Sequence, residues 1–263
     1  MDIRKITWII SILFIFNIGT FASVEVIGSL KRTHKGAQGD VFKGEIQIQN
    51  SDDTKQEVRI YQTDLLYNFE GLTFYDENET HSRSNKNWIS FSPKTVILNA
   101  HESRFIQYEI TIPNADSIVG TFWSVLMVEG VDPIDPTQEG ELNIRTLTRY
   151  AIQIVSETTD LGTGLLKFLK PTIITEEDKL FLAIDLVNEG QHYISPEVSM
   201  EIFDENGESV KTIKAPKKGI FPTTSARFRL DLEGLKAEQT YKCLIIAAGE
   251  EEDVFGLEYT LYF

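Results

Sequence analysis

The sequence predicts an all-β protein built from two consecutive β-sandwiches. Apolar and polar residues alternate over residues 42–48, 106–112, 180–186 and 228–232, which places one side of each run in a core and the other in water. Turn-forming residues separate such runs, most clearly Asn206-Gly207, because both residues tolerate the positive φ of a tight hairpin. No window of about a dozen residues carries a helical stripe of apolar side chains.

The N-terminus predicts export. Arg4 and Lys5 precede an apolar run over residues 6–16, and Thr20 and Ala22 place small residues at positions −3 and −1 of a cleavage site. This is the order of a secretory signal peptide, and the run is shorter than the roughly 20 residues of a membrane span. We therefore expect removal of residues 1–22 and a periplasmic or secreted, cell-surface product without membrane insertion. An uncleaved anchor is the alternative.

Two domains are predicted from the spacing of the strands. A boundary falls at residues 158–164, where Gly162 and Gly164 follow a long predicted strand. Residues 23–157 and 165–263 each hold about seven predicted strands and have roughly the size of an immunoglobulin-like domain. The predicted fold is therefore two tandem immunoglobulin-like β-sandwiches after a signal peptide.

Composition and motifs favour a protein without enzymatic activity. The chain has 25 Lys and Arg residues against 40 Asp and Glu, a formal net charge of −15, which argues against nucleic-acid partners. Its four histidines lack the spacing of a zinc site, so we expect them at the surface, with no metal and no other cofactor. The single cysteine, Cys243, lies in an apolar run and is expected in a core. A secreted hydrolase with an unrecognised site is the least favoured alternative.

Two resemblances concern exported proteins. Residues 112–125, IPNADSIVGTFWSV, and the strand ending at Asn50 resemble periplasmic pilus chaperones, where a proline turn precedes an aromatic-Trp strand. A second resemblance, to exported two-domain surface proteins that accompany WxL-type proteins, includes Asp204-Glu-Asn-Gly207, Phe221-Pro222, Gly234-Leu235 and Tyr241. Both resemblances imply a chaperone-like or scaffolding protein that binds another exported, surface or fimbrial protein.

The chaperone resemblance also implies a carboxylate anchor. Pilus chaperones hold a subunit's C-terminal carboxylate with an Arg near the first strand and a Lys on the last strand of the first domain. Here Arg32, beside Lys31, takes the first position, and the last strand carries Arg145 and Arg149 in place of the Lys.

The strand predicted over residues 142–155 is the candidate partner-binding segment. If it lies at a sheet edge, its backbone can pair with a strand of another protein while alternate side chains fill that protein's groove. The residues that share this face are Ile144, Thr146, Thr148, Tyr150, Ile152 and Ile154. The alternative is an ordinary last strand whose apolar face lies in its own core.

Exposed aromatic residues suggest a second function, binding of cell-wall glycan. Residues 68–86 form a long stretch rich in Asp, Glu, Asn and Ser that we expect to be irregular, and long loops on rigid sandwiches often bind ligands. Phe74, Tyr75 and Trp88 are the candidate glycan-stacking residues of an adhesin-like protein. A solvated insertion is the alternative for this stretch.

Overall fold

Two β-sandwiches follow one another along the chain in the computed structural model, which describes residues 24–78, 81–131, 148–236, 238–250 and 253–262. The predicted all-β class with two immunoglobulin-like sandwiches is confirmed. The predicted signal peptide, residues 1–22, lies outside the described residues. Within the ranges given above, no helix is long and apolar enough to cross a membrane.

The first sandwich consists of two sheets. Its described strands are β1 (Val24–Ile27), β2 (Lys31–Gly36), β3 (Val41–Asn50), β4 (Gln56–Tyr67), β5 (Thr73–Asp76), β6 (Ile89–Ser92), β7 (Thr95–Leu98), β8 (Ser103–Thr111), β9 (Thr121–Val131) and β10 (Arg149–Thr158). One sheet has the order β1-β3-β8-β6. The other, which we call the cleft sheet, has the order β2-β10-β9-β4-β5, with β7 also beside β4. The β2–β10 pair is parallel, and the other named strand pairs of this sandwich are antiparallel.

Alternate residues of these strands form the first core, as the period-two pattern predicts. Ile46, Ile106, Leu126 and Ile152 come from four different strands and are fully buried between the two sheets. Each such side chain contributes about 1.5–3 kcal/mol through its removal from water. The chain crosses from the first sheet to the cleft sheet between β1 and β2, at Gly28, whose φ of 98° favours glycine.

The second sandwich has its own core. Its described strands are β11 (Leu166–Phe168), β12 (Thr172–Glu176), β13 (Lys179–Asn188), β14 (Glu197–Phe203), β15 (Ser209–Ala215), β16 (Ser225–Asp231), β17 (Thr240–Ala248) and β18 (Val254–Tyr262). Strand β13 pairs with β11 and β12 on one side and β16 on the other, while the facing sheet has the order β15-β14-β17-β18. Cys243 is buried as expected, and burial raises the pKa of its thiol to about 11.

Residues 68–78 and 81–86 are more ordered than the sequence predicts. They include β5, which forms a hairpin with β4, and they end in a segment that enters the first sandwich. Asn85 is fully buried there, and its side-chain amide donates to the Ile154 carbonyl and the Ser156 hydroxyl, both at 3.0 Å. The expectation of one irregular stretch is therefore wrong, because hydrogen bonds to buried backbone compensate the polar composition.

Candidate functional site

Strand β10 is paired along one edge and only partly along the other. It pairs with β9 from Arg149 to Glu157, whereas its pairing with β2 begins at Gln153. No described strand lies beside residues 149–152 on the β2 side. We call these four residues the open edge.

The register shows which backbone groups face the open edge. The Gln153 N–H donates to the Leu30 carbonyl at 2.8 Å, away from β9, whereas the Thr158 N–H donates to Gly120 on the β9 side at 3.0 Å. Backbone polar groups alternate in direction along a strand, so the odd-numbered residues of β10 turn theirs away from β9. Arg149 and Ala151 therefore present their N–H and C=O groups at the open edge.

The even-numbered side chains of β10 belong to the protein's own core. Ile152 and Ile154 are fully buried, Tyr150 packs half-buried against the same core, and Thr148 is half-buried. The expectation that Ile152 and Ile154 fill a partner's groove is corrected, because the facing sheet already covers them. Ile144, Thr146 and Arg145 lie outside the described residues.

The structure places the two described anchor arginines on opposite faces of the cleft sheet. Arg32 pairs in register with Ile154 and faces inward, where its Nε is buried without a hydrogen-bond partner. The pKa of His34 is lowered by burial and, to a smaller extent, by the positive charge of Arg32. Arg149 faces outward and forms an ion pair with Glu129 at 3.1 Å. Because Arg32 pairs with Ile154, it shares a face with the even-numbered residues of β10, whereas Arg149 lies on the opposite face. The expected convergence of Arg32 with Arg149 is therefore wrong.

Lys31 faces the cleft between the sandwiches and contacts aromatic rings there. Its ammonium lies 3.6 Å from the ring centroid of Tyr193 and 5.4 Å from that of Phe221, both in the second sandwich. The sequence alone shows Lys31 beside Arg32 but does not indicate which of the two faces the cleft. The alternation of strand β2 is the signal that distinguishes them, once the inward direction of Arg32 is known.

An aromatic cluster joins the two sandwiches beside this cleft. The indole of Trp123 is stacked on Phe221 with centroids 4.5 Å apart, and the His81 ring is stacked on Trp123 at 4.2 Å. The indole N–H of Trp123 donates to the Leu65 carbonyl at 2.8 Å, and the Tyr67 hydroxyl donates to the Gly219 carbonyl at 2.9 Å. Apolar side chains on the outer face of the cleft sheet are thus covered by the second sandwich.

Main-chain hydrogen bonds hold the second sandwich against the first. The Thr121 N–H donates to Gln191 and the Tyr193 N–H donates to the Thr121 hydroxyl, both at 2.9 Å. Gly120, with φ of 92°, lies so close that a Cβ there would stand 2.0 Å from the Gln191 carbonyl oxygen. This contact requires glycine, because any side chain would separate the two backbones.

The cleft contains a cavity of about 670 Å³ that both sandwiches line. Lys31 and Lys35 contribute positive charge, and Glu157, Glu250 and Asp253 contribute negative charge. Asp253 is engaged by His192, with 2.7 Å between the carboxylate and Nε2. In the part of the chain that the structure describes, no group of three or more His, Cys, Asp or Glu side chains is arranged to hold a metal ion.

The candidate glycan-stacking residues do not share one surface. Phe74 and Tyr75 are exposed, but as neighbours on β5 they point to opposite faces. Trp88 is half-buried and packs against Phe122 with centroids 4.6 Å apart. The described geometry therefore offers no continuous aromatic platform at Phe74, Tyr75 and Trp88. The expectation of surface histidines is also wrong for His81, whose side chain is 7% exposed.

Comparisons with known proteins give matches among solved structures. No family model matches the chain, and no curated protein matches it. A structure described as a chaperone-tip adhesin complex of CFA/I fimbriae biogenesis is 14% identical, with a TM-score of 0.49, 91% of this chain covered and 98% of that chain. The class 5 fimbriae chaperone CfaA is 16% identical, with a TM-score of 0.48 and coverages of 90% and 98%.

A third similar structure is the CsuC-CsuE chaperone-tip adhesion subunit complex of Acinetobacter baumannii. It is 14% identical, with a TM-score of 0.45, 89% of this chain covered and 98% of that chain. Each of these three structures is described as containing a fimbrial or pilus chaperone. No residue of the site is carried over from these proteins, because the identities are too low to align single positions.

Proposed function

We propose that this chain is a non-catalytic, exported chaperone-like or scaffolding protein that binds an extended segment of another exported or surface protein. The observation that carries the proposal is the open edge of β10, where Arg149 and Ala151 offer two N–H and two C=O groups. A strand that pairs there extends the cleft sheet by backbone hydrogen bonds. Four such bonds contribute about 2–6 kcal/mol before the cost of ordering the partner.

We propose that the partner strand runs parallel to β10, as β2 does. Strand β2 runs parallel to β10 and begins where Lys31 is paired with Gln153. Such a partner strand occupies the position beside residues 149–152 that β2 leaves free, a length of roughly 13 Å. Its C-terminal end lies next to Lys31, where β2 begins. The Lys31 ammonium makes no ion pair with a described carboxylate, so we propose it as the anchor for a terminal carboxylate of the partner, in place of the expected pair of Arg32 and Arg149.

A proline at the open edge tests this proposal. Ala151→Pro removes an N–H that faces away from β9, so the β9–β10 ladder is retained while the edge is blocked. Tagged protein comprising residues 23–263 is used to capture partners from an envelope extract, and the recovered proteins are quantified by mass spectrometry. We expect Ala151→Pro to reduce recovery of the wild-type partner by at least about tenfold.

A matched control is a proline on another edge strand. The Gly249 N–H donates to the Asp253 carbonyl across the turn between β17 and β18. In this register the odd-numbered residues of β18 form hydrogen bonds with β17. The N–H of Thr260, an even-numbered residue, therefore points away from β17. Thr260→Pro is expected to leave recovery unchanged. Equal recovery with Ala151→Pro and Thr260→Pro, or no partner for the wild type, contradicts the proposal, provided that circular dichroism shows both variants folded.

A further inference from the structure

The ammonium of Lys31 is held by aromatic rings of the other sandwich. Lys31 begins β2 in the first sandwich, whereas Tyr193 and Phe221, the rings within 3.6 and 5.4 Å of its ammonium, belong to the second. A lysine side chain at a strand end ordinarily samples many rotamers. An aromatic face attracts the cation without neutralising it, so the charge remains available to a second, anionic partner.

The Tyr193 ring is itself fixed in place. Its backbone N–H donates to the Thr121 hydroxyl at 2.9 Å, and its ring packs against Phe221 with centroids 4.8 Å apart. Gly219 leaves room for the Tyr193 hydroxyl, because a Cβ at Gly219 would stand 1.8 Å from that oxygen. The ring is therefore held by contacts within the second sandwich, and the Thr121 hydrogen bond fixes it relative to the first.

We propose that Tyr193 is a positioning residue that holds the Lys31 ammonium at the end of the open edge, so that the second sandwich completes a carboxylate site on the first. This inference rests on the proposed function and adds a role for the second sandwich to it. The residues that would bind the partner backbone, Arg149 and Ala151, lie wholly in the first sandwich. The charge that recognises the partner's terminus depends on both.

A spectroscopic measurement tests the contact without any partner. Aromatic rings shift protons above their faces upfield, so the ε-protons of Lys31 in ¹³C-labelled protein should resonate upfield in the wild type and in Tyr193→Phe. In Tyr193→Leu, which removes the ring, we expect this displacement to vanish. Lys31→Met identifies the signal, and an unshifted Lys31 signal in the wild type overturns the proposal.

A binding measurement tests the role. The probes are two synthetic strand peptides of alternating Val and Thr, identical except that one ends in a free carboxylate and the other in an amide. The wild type should prefer the carboxylate peptide by about tenfold, and Tyr193→Leu should lose roughly threefold of this preference, the effect of a surface cation–π contact. Tyr193→Phe should retain the preference, and Lys31→Met should abolish it.

The outcomes separate this inference from the proposed function. If the wild type prefers the carboxylate peptide and Tyr193→Leu does so equally, the positioning role is overturned and the open edge stands. If Tyr193→Leu weakens both peptides equally, Tyr193 acts only on the fold, and the positioning role is again overturned. If the wild type binds neither peptide, the proposed function fails and the role of Tyr193 fails with it.

Discussion

At the residue scale, His81 lies buried between the indole of Trp123 and the carboxylate of Asp64. Its Nδ1 accepts a hydrogen bond from the Arg83 N–H at 3.2 Å, so the proton of the neutral ring is on Nε2, which is buried 3.7 Å from Asp64 Oδ1. Burial lowers the pKa of His81 below its usual 6.5, and the opposing effect of Asp64 is smaller. The ring is therefore neutral at pH 7 while it packs on the joint between the sandwiches.

This burial predicts a dependence of stability on pH. A histidine whose pKa is lower in the folded than in the unfolded state takes up its proton first in the unfolded chain, so stability is full above about pH 6.5 and falls as the pH falls towards the folded-state pKa. We expect the free energy of unfolding in urea to fall between about pH 7 and pH 5, and His81→Gln to reduce that slope. His34, whose pKa is lowered by burial and by Arg32, accounts for part of the remainder.

His101→Gln is the control for the pH prediction. His101 lies on an exposed turn, where its Nε2 is 2.9 Å from Asp53, and its side chain is 61% exposed. Because its ring is exposed, replacing His101 should flatten the dependence of stability on pH less than His81→Gln does. If the free energy of unfolding of His81→Gln depends on pH as steeply as that of the wild type, the buried His81 ring does not cause the pH dependence.

At the element scale, two ion pairs that join strands of the second sandwich differ in how deeply they are buried. Arg227 on β16 makes a two-point contact with Asp185 on β13, with N–O distances of 2.7 and 2.6 Å, and the Asp185 side chain is only 9% exposed. The hydrogen bonds that Arg227 donates to Asp185 raise the pKa of the Arg227 guanidinium. Arg229, on the same strand, pairs with Glu176 on β12, where both side chains are about 40% exposed.

Removing the acid from each pair should separate the two effects. Asp185→Ala leaves a half-buried guanidinium without its partner and should lower the free energy of unfolding by about 2–4 kcal/mol. Glu176→Ala removes an exposed pair and should cost no more than about 1 kcal/mol. Urea unfolding of both variants measures the difference, and equal losses would contradict the importance of burial for the Asp185 pair.

At the scale of the whole molecule, two self-contained cores are joined by a small and specific interface. The stack of Trp123 on Phe221 and the main-chain contact of Gly120 with Gln191 fix the relative position of the sandwiches. The cleft, with Lys31 over Tyr193, exists only in this arrangement. Both sandwiches keep their own buried cores away from the joint.

A single methyl group at Gly120 should therefore separate the sandwiches while both remain folded. In Gly120→Ala the new Cβ meets the Gln191 carbonyl at 2.0 Å, so we expect small-angle scattering to show a larger radius of gyration and calorimetry to resolve two transitions. Gly207→Ala is the matched control, because Gly207 also has a positive φ, 82°, with open space around it. It should cost about 1–2 kcal/mol without any change in shape. An unchanged radius of gyration in Gly120→Ala would contradict the prediction that this contact holds the sandwiches together.

Much of the fold was readable from local pattern. Period-two alternation predicts the strands that supply Ile46, Ile106 and Leu182, because a strand with one buried face must repeat every second residue. The burial of Cys243 follows from its apolar neighbours in the same way. The burial of Asn85 was not predicted, because its partners, the Ile154 carbonyl and the Ser156 hydroxyl, lie about 70 residues further along the chain.

The sequence by itself determined the all-β class and the two sandwiches, because alternation along a strand is a local property. Only the tertiary structure decided that the free backbone groups are those of Arg149 and Ala151, and that Lys31 faces the cleft while Arg32 faces the core. The alternation of a strand shows that neighbouring side chains point to opposite faces, but it does not show which face another part of the protein covers. That depends on contacts between distant segments, such as the Tyr67 hydrogen bond to Gly219 across 152 residues of chain, which no local pattern encodes.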